Sequence, residues 1–317
     1  MKKLLALLVS IVLVLSACSF AFAEDKTYHI GICQLVQHPA LDAATKGFRD
    51  ALTELLGDKV EFDEQNASGD SATCITIVNG FVSANVDLIM ANATPALQAA
   101  VAATGDIPIL GTSVTDYGSA LDISDWTGTT GFNVSGTSDL APLDGQAAMV
   151  KDLFPDAKEI GLLYCSAEAN SLYQVKVIAE ELKALGYNTT EYAFTDSNDV
   201  SSVTTNACAS SDVIYIPTDN TAASCTEAIR NVVETEKVPV VAGEEGLCAG
   251  CGVATLSISY YDLGVATGKM AYEILVNGAD VSTMPVEVAP QFTKEYNPEM
   301  AELFGLTLPE DYVAIAG

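Results

Sequence analysis

Residues 28–56 read YHIGICQLVQHPALDAATKGFRDALTELL, an apolar run of strand length followed by a helical pattern. Tyr28 to Val36 is predicted to be a strand. His38 to Leu56 is predicted to be an amphipathic helix, because Leu41, Phe48, Leu52 and Leu55 recur at helical spacing and Pro39 suits a first turn. Going outward, strand Val60 to Gln65 precedes a helix from Asp70 to Ala84 and a strand from Asp87 to Ala91. A helix opening at Thr94-Pro95 then leads to strand Ile107 to Leu110. Strands alternating with helices mean βαβ units and a parallel sheet.

The same order returns later in the chain. Strand Glu159 to Tyr164, helix Glu168 to Leu185 and strand Thr190 to Phe194 are followed by a short helix near Val200 to Ala209. Strand Asp212 to Ile216, helix Asn220 to Glu234 and strand Val238 to Val241 complete the run. The halves echo each other locally. Ile30-Gly31-Ile32 matches Ile160-Gly161-Leu162, Asp87-Leu88-Ile89-Met90 matches Asp212-Val213-Ile214-Tyr215, and Ile107-Pro108-Ile109 matches Val238-Pro239-Val240. The fold class expected is therefore α/β, with two Rossmann-like parallel-sheet lobes. Three further segments belong to neither run. Gly131 to Asp139 reads as polar and extended between the halves. Tyr260 to Asn277 reads as an amphipathic helix, and Pro285 to Val288 as a late strand before a short helix Pro298 to Phe304. A helix that returns to the first lobe requires more than one hinge crossing. The crossings are expected near 138–141, 253–259 and 285–290. The lobes are then 27–139 plus 258–286, and 140–257 plus 287–317.

The N-terminus concerns export. Lys2 and Lys3 precede an apolar run, Leu4 to Leu15, too short for the roughly 20 residues a membrane span needs. Leu15-Ser16-Ala17-Cys18 has the form of a lipoprotein cleavage site, with residues 1–17 as signal peptide and Cys18 as the lipidated residue. Cleavage after Ala21-Phe22-Ala23 is the rival. The mature chain is expected outside the cytoplasm, anchored to the membrane through lipid on Cys18.

The remaining ~300 residues exceed what one hydrophobic core usually supports. The formal net charge is −28, and removal of Lys2 and Lys3 takes it to −30. Such a chain does not bind nucleic acid or an anionic lipid surface non-specifically. Seven cysteines besides Cys18, irregularly spaced, do not form a disulfide framework. Cys248-Ala249-Gly250-Cys251 is open to three readings: a redox or disulfide pair, half a metal site, or two unpaired thiols. Unpaired thiols are expected, with no metal and no cofactor. No G-x-S-x-G, P-loop, G-x-G-x-x-G or H-E-x-x-H sequence occurs, and the histidines are His29 and His38. His38, before Pro39, is expected to cap its helix. An enzyme is not expected.

In open parallel sheets, ligands bind outside the carboxyl ends of the strands. The first half offers Gln34 and Gln37 there, then Asn92 and Thr94, then Thr112, Ser113 and Thr115. Thr94 at a helix start suits a carboxylate, since free N–H groups lie beside its hydroxyl. Thr94 lies seven residues after Asp87, and Asp219 seven after the matching Asp212. An opposed hydroxyl and carboxylate suit a zwitterion, with its ammonium on Asp219. Both residues could equally be plain caps. Glu168, Asn170 and Ser171 occupy the loop after the second half's first strand, and Asn220 follows Asp219. Gly243-Glu244-Glu245-Gly246 reads equally as a solvated turn or as a loop with one of its two acids pointing into the cleft. Phe132, Tyr164 and Tyr215 are candidates to stack on an aromatic ring.

Several of these stretches form an ordered set: Gln37-His38-Pro39-Ala40-Leu41-Asp42-Ala43, Asn66-Ala67-Ser68-Gly69-Asp70, Ala93-Thr94-Pro95-Ala96, Val134-Ser135-Gly136-Thr137-Ser138-Asp139, Glu168-Ala169-Asn170-Ser171 and Pro217-Thr218-Asp219-Asn220. Together they resemble the ABC-transporter substrate-binding lipoproteins grouped with tryptophan and tyrosine uptake. The resemblance runs from about residue 28 to the end. It implies the type I periplasmic-binding-protein fold with three hinge crossings, Ser138 among the ligand-binding residues, and an aromatic amino acid as ligand. It also implies a monomer that docks on an ABC permease with its ATPase. The Cys248 to Gly252 segment and the polar Thr293 to Pro298 depart from the family pattern. A sensor on the same fold, signalling to a membrane receptor, and an importer subunit for another small solute are the alternative readings.

Overall fold

The computed structural model describes residues 26–289 and 291–315. The expected lipidation site Cys18, the expected 1–17 signal peptide and the rival cleavage site after Ala23 lie outside them.

The first lobe begins with β1 (Tyr28–Gln34), α1 (Pro39–Leu56), β2 (Val60–Asn66), α2 (Ser71–Ala84), β3 (Leu88–Asn92) and α3 (Thr94–Ala103). β4 (Ile109–Val114), the short α4 (Tyr117–Ala120) and β5 (Val134–Ser138) follow. The chain then enters the second lobe with α5 (Leu143–Leu153), β6 (Glu159–Cys165), α6 (Ala169–Ala184), β7 (Asn188–Phe194), α7 (Val200–Cys208) and β8 (Val213–Ile216). The predicted helix after Asn220 is broken: α8 (Asn220–Ala223) stops at Ser224, and α9 (Thr226–Glu236) starts afresh. β9 (Val240–Ala242), α10 (Glu245–Cys251) and β10 (Ala254–Ser257) lead to α11 (Tyr260–Leu275), which returns to the first lobe. β11 (Glu287–Val288) stays there. β12 (Thr293–Tyr296), α12 (Pro298–Leu303) and β13 (Val313–Ala314) end in the second lobe.

The sheets have matching strand orders. The first runs β11-β5-β4-β3-β1-β2, and all its pairings are parallel. The second runs β13-β12-β10-β9-β8-β6-β7, with one antiparallel pairing, β10 with β12. The order 2-1-3-4-5 is thus written in both lobes, which is the doubly wound arrangement. The sequence echoes have physical causes. Asp87 accepts the His29 N–H at 2.8 Å, and Asp212 accepts those of Lys158 and Glu159 at 2.8 and 3.0 Å. Each aspartate therefore ties the start of its own strand to the start of the lobe's first strand. A methyl group on Gly31 would meet Phe81 Cγ at 2.5 Å, and one on Gly161 would meet Ser211 Oγ at 2.5 Å. Both glycines are small because a neighbour occupies the space.

Strand alternation divides the first lobe's interior. Ile30, Ile32, Leu88, Met90 and Leu110 pack on Phe48 and Leu52 of α1 and Met270 of α11. Cys33, Ile89, Ala91, Ile109 and Val134 face Val78 and Phe81 of α2 and Leu97 of α3. The second lobe has one continuous core around Leu162, Ile214, Ile216 and Val240.

The polar, extended segment before Asp139 forms β5, which is fully buried between β4 and β11. Its hydroxyls are paired internally: Thr137 Oγ1 lies 2.9 Å from Thr267 Oγ1 and 3.2 Å from Thr112 Oγ1. Hydrogen bonding of this kind lets a polar strand sit in a core. Glu287 and Val288 pair with Thr137 and Ser138 in the first sheet, so the third crossing falls after Val288, within the expected 285–290 and two residues past the 286 lobe boundary. The other crossings lie between Ser138 and Leu143 and between Ser257 and Tyr260.

Among the described residues the seven cysteines, Cys248 and Cys251 included, are unpaired thiols. No helix of the described residues is long and apolar enough to cross a membrane.

Candidate ligand site between the lobes

Both sheets aim the carboxyl ends of their strands at the cleft. α3 and α4 of the first lobe pack against α6 of the second, and α1 packs against α10. Two side-chain hydrogen bonds cross from lobe to lobe. His38 Nε2 lies 3.3 Å from Asn220 Oδ1, and Gln174 donates to Thr115 Oγ1 at 3.5 Å. His38 therefore does something other than its expected capping. It makes no side-chain cap bond to α1 and reaches across the cleft instead.

The loops that meet here carry four buried acids: Asp139, Glu168, Asp219 and Glu244. No lysine or arginine of the described residues is buried. Asp219 accepts from the Ala222 N–H at 2.8 Å, the Cys165 N–H at 2.6 Å and the Ser171 hydroxyl at 2.7 Å. It caps α8 and clamps the β6 loop. Glu168 accepts from Thr221 through one oxygen and from Asn220 and Asn170 through the other. Glu244 caps α10, taking the N–H groups of Gly246 at 2.6 Å and Leu247 at 2.5 Å. Asp139, just past β5, accepts the Tyr260 hydroxyl at 2.9 Å through Oδ2.

Five buried polar atoms around the cleft have no protein partner: Thr94 Oγ1, Ser113 Oγ, His38 Nδ1, Asn170 Oδ1 and Asp139 Oδ1. An unpaired buried polar atom costs about 1–3 kcal/mol, and five in one place mark where a ligand supplies partners. Two backbone positions reinforce this. Ala93 has φ 90° and Ser113 has φ 54°, both in the region that favours glycine. Strain of that kind costs about 1–3 kcal/mol per residue and concentrates at binding sites. It turns the N-terminus of the ten-residue α3 and the Ser113 hydroxyl at the ends of β3 and β4.

Two cavities lie at the meeting of the lobes. One of ≈ 150 Å³ is walled by Leu35, Val36 and Pro95 from one lobe and Ala167, Glu168 and Asn220 from the other. The other, ≈ 460 Å³, lies at the second crossing among Pro39, Ala40, Glu244, Gly246, Ile258 and Tyr260.

Other expected site residues are placed elsewhere. Gln34 is turned onto α1, bonded to Asp42 and Thr45 at 2.6 Å each. Thr112 joins the hydroxyl chain under α11. Ser138 donates to the Thr115 carbonyl at 2.7 Å within the hinge. The aromatic candidates are not brought together. Tyr215 is in the second lobe's core with its hydroxyl on Gln146, Tyr164 donates to Glu191 at 2.7 Å on the neighbouring β7, and Phe132 packs on the first lobe's core. Asp139, His38, Gln174 and Tyr260 were not expected at the site. Asp139 closes the Val134–Asp139 motif, but a polar, extended segment gave no reason to place its side chain.

Burial, chiefly, raises the carboxyls of Asp139 to about 6 and of Asp219 and Glu244 to about 7. An acid whose folded pKa is raised binds more protons folded than unfolded, so it destabilises as pH rises. Burial lowers His38, which works in the opposite direction below its ordinary value. With three acids against one histidine, ligand-free stability is expected to fall between pH 4.5 and pH 7.5. A melting temperature that rises over that window would contradict these burials.

The fold and cleft define a two-lobed solute-binding protein, a kind of protein that is not an enzyme. The chain belongs to the ABC transporter substrate binding protein family, whose model matches residues 29–317; such proteins of ABC importers work outside the cytoplasm. It is 38% identical over 302 residues to a tyrosine-binding protein of Clostridioides difficile (strain R20291), covering 90% of this chain and 87% of that one. It superposes with a TM-score of 0.86 on an ABC domain from Streptococcus pneumonia in complex with L-Trp, at 34% identity over 90% of this chain and 97% of that one. Against the ligand-free, open structure of a substrate binding protein with adhesive properties from Clostridium difficile, the score is 0.69 at 38% identity, over 91% and 99%. The better superposition goes with the lower identity. The lower score is to a structure described as open, whereas the lobes here are in direct contact.

Proposed function

We propose that this chain binds an aromatic amino acid (tryptophan, tyrosine or phenylalanine) between its lobes and delivers it to an ABC permease and its ATPase, while held to the membrane by lipid on Cys18. The observation that carries the ligand class is the charge of the closed cleft. Four acids are buried there with no buried lysine or arginine to offset them. Unpaired buried charge is costly, so the cleft calls for a cation. The Thr94 hydroxyl, lacking a partner at the start of α3, supplies the opposite need, because a helix N-terminus favours a carboxylate. A zwitterion satisfies both. The aromatic side chain is supported by the relatives named for tyrosine and complexed with L-Trp.

The test is a thermal-shift screen of the soluble chain from residue 24 against the twenty amino acids. At 100 times its dissociation constant a ligand stabilises by about 2.7 kcal/mol, so an aromatic amino acid is expected to raise the melting temperature visibly. If a sugar or nucleoside raises it and no amino acid does, the reading is wrong.

A further inference from the structure

Resting on the amino-acid reading above, we propose that Asp139 is the carboxylate that receives the ligand's α-ammonium, so that this hinge residue selects amino acids over their desamino analogues. The assignment comes from the occupancy of the four buried acids. Glu168, Asp219 and Glu244 each have both oxygens engaged by N–H or O–H donors of their own lobe. Those bonds cap helices and pin loops, and they exist without any ligand. Asp139 alone among the four has an oxygen, Oδ1, with no partner, although the residue is only 4% exposed. A buried carboxylate oxygen in that state needs a donor, and a cation satisfies it most fully. Around Asp139 stand the Tyr260 and Thr115 hydroxyls, both of which favour its charged form, together with Tyr117 and Glu244; none of them closes a hydrogen bond on Oδ1. None of them can carry a positive charge, so the cation must arrive with the ligand.

The position of Asp139 gives the contact a second consequence. It sits at the first hinge crossing, and its other oxygen holds Tyr260, the first residue of α11 just past the second crossing. An ammonium on Oδ1 is thereby tied to two of the three hinge segments. Glu244 of the second lobe is buried at the same interface, where the charge of Asp139 helps raise its carboxyl, so like charges oppose each other there. A cation between them removes that opposition. Closure is thus favoured by a ligand that carries an ammonium, whereas one that lacks it leaves two acids facing each other.

The experiment is calorimetric titration of the mature protein with L-tyrosine and with 3-(4-hydroxyphenyl)propionate, which differs by the missing amino group. The wild type is expected to prefer L-tyrosine by about 100-fold, the size of effect seen when one partner of a buried charge pair is removed. Asp139→Asn is expected to lose most of that preference, with L-tyrosine weakened about 100-fold and the analogue changed by less than about threefold. Retained analogue binding shows that the variant is folded. Asp139→Ser, which also removes the charge and keeps a hydroxyl for Tyr260, decides the matter should the asparagine form fold poorly. A variant that keeps the wild-type preference, or loses both compounds equally, overturns the assignment. Should the wild-type protein bind neither L-tyrosine nor any other aromatic amino acid, the ligand reading itself fails and takes the assignment with it, and that is seen before any variant is made.

Discussion

Replacing Gly264 by alanine is expected to cost roughly 3 kcal/mol of folding stability, at the upper end of overpacking effects. Gly264 lies on α11 where that helix crosses α1. A methyl group there would fall on the backbone of Ala44, overlapping its carbonyl oxygen and lying 2.8 Å from its carbonyl carbon. Gly47 and Gly268 make similar approaches to Tyr261 and Phe48 across the same crossing. The obstacle is backbone, so no rotamer change relieves it, and the two helices must separate. Separation would loosen Leu263, Ala40, Ala44 and Tyr260, which form a buried cluster beside the hinge. Helix propensity works the other way, but alanine gains only about 1 kcal/mol over glycine, so the clash wins. Gly80→Ala is the matched control. It lies inside α2 with nothing within 4 Å of the added methyl, and it is expected to stabilise by about 0.5–1 kcal/mol. Urea unfolding of the two variants should shift in opposite directions. Equal midpoints would mean that α1 and α11 do not need this close contact.

Asp219→Ala is expected to destabilise by about 3 kcal/mol, combining a lost N-cap with buried donors left unpaired. Three donors lose their acceptor: the N–H groups of Cys165 and Ala222 and the Ser171 hydroxyl. Relief of a buried charge offsets part of this, since burial raises Asp219 to about 7. The cost is therefore expected to be smaller at pH 8, where the wild-type carboxylate is charged at its own expense, than at pH 6. Asp219→Asn keeps one acceptor oxygen for the helix cap and is expected to lose less than the alanine form. Chemical denaturation at both pH values checks the order. If both variants match the wild type, the carboxylate is no clamp. The sequence suggested a direct ammonium contact for this residue; its bonds describe a structural role that shapes the loop.

How much of this was legible depended on distance along the chain. The echoed aspartates Asp87 and Asp212 could be matched because each begins an apolar run, and their shared work of holding the neighbouring strand's N–H follows from that register. The extended form of β5 is legible, but its burial is not: Ser135, Thr137 and Ser138 are polar, and only their partners on β4, α11, Thr115 and the 284–285 segment show that they are buried. α10 and β10 were missed for a related reason. Two acids, Glu244 and Glu245, read as a turn, yet Glu244 is a helix cap shielded by the facing lobe. His38 looked like a cap because Pro39 follows it, and its true neighbour, Asn220, is 182 residues away.

By itself, the sequence determined the alternation of strands and helices, its repetition in two lobes, and the loops at which the lobes would meet. These follow from periodicity and turn chemistry, which act over a few residues. Only the tertiary structure decided which acid of the cleft is free. A carboxylate's lone pairs are filled by donors brought from far along the chain, as Cys165 is to Asp219 across 54 residues and Thr221 is to Glu168 across 53. Asp139 Oδ1 stands out because folding brings no such donor to it.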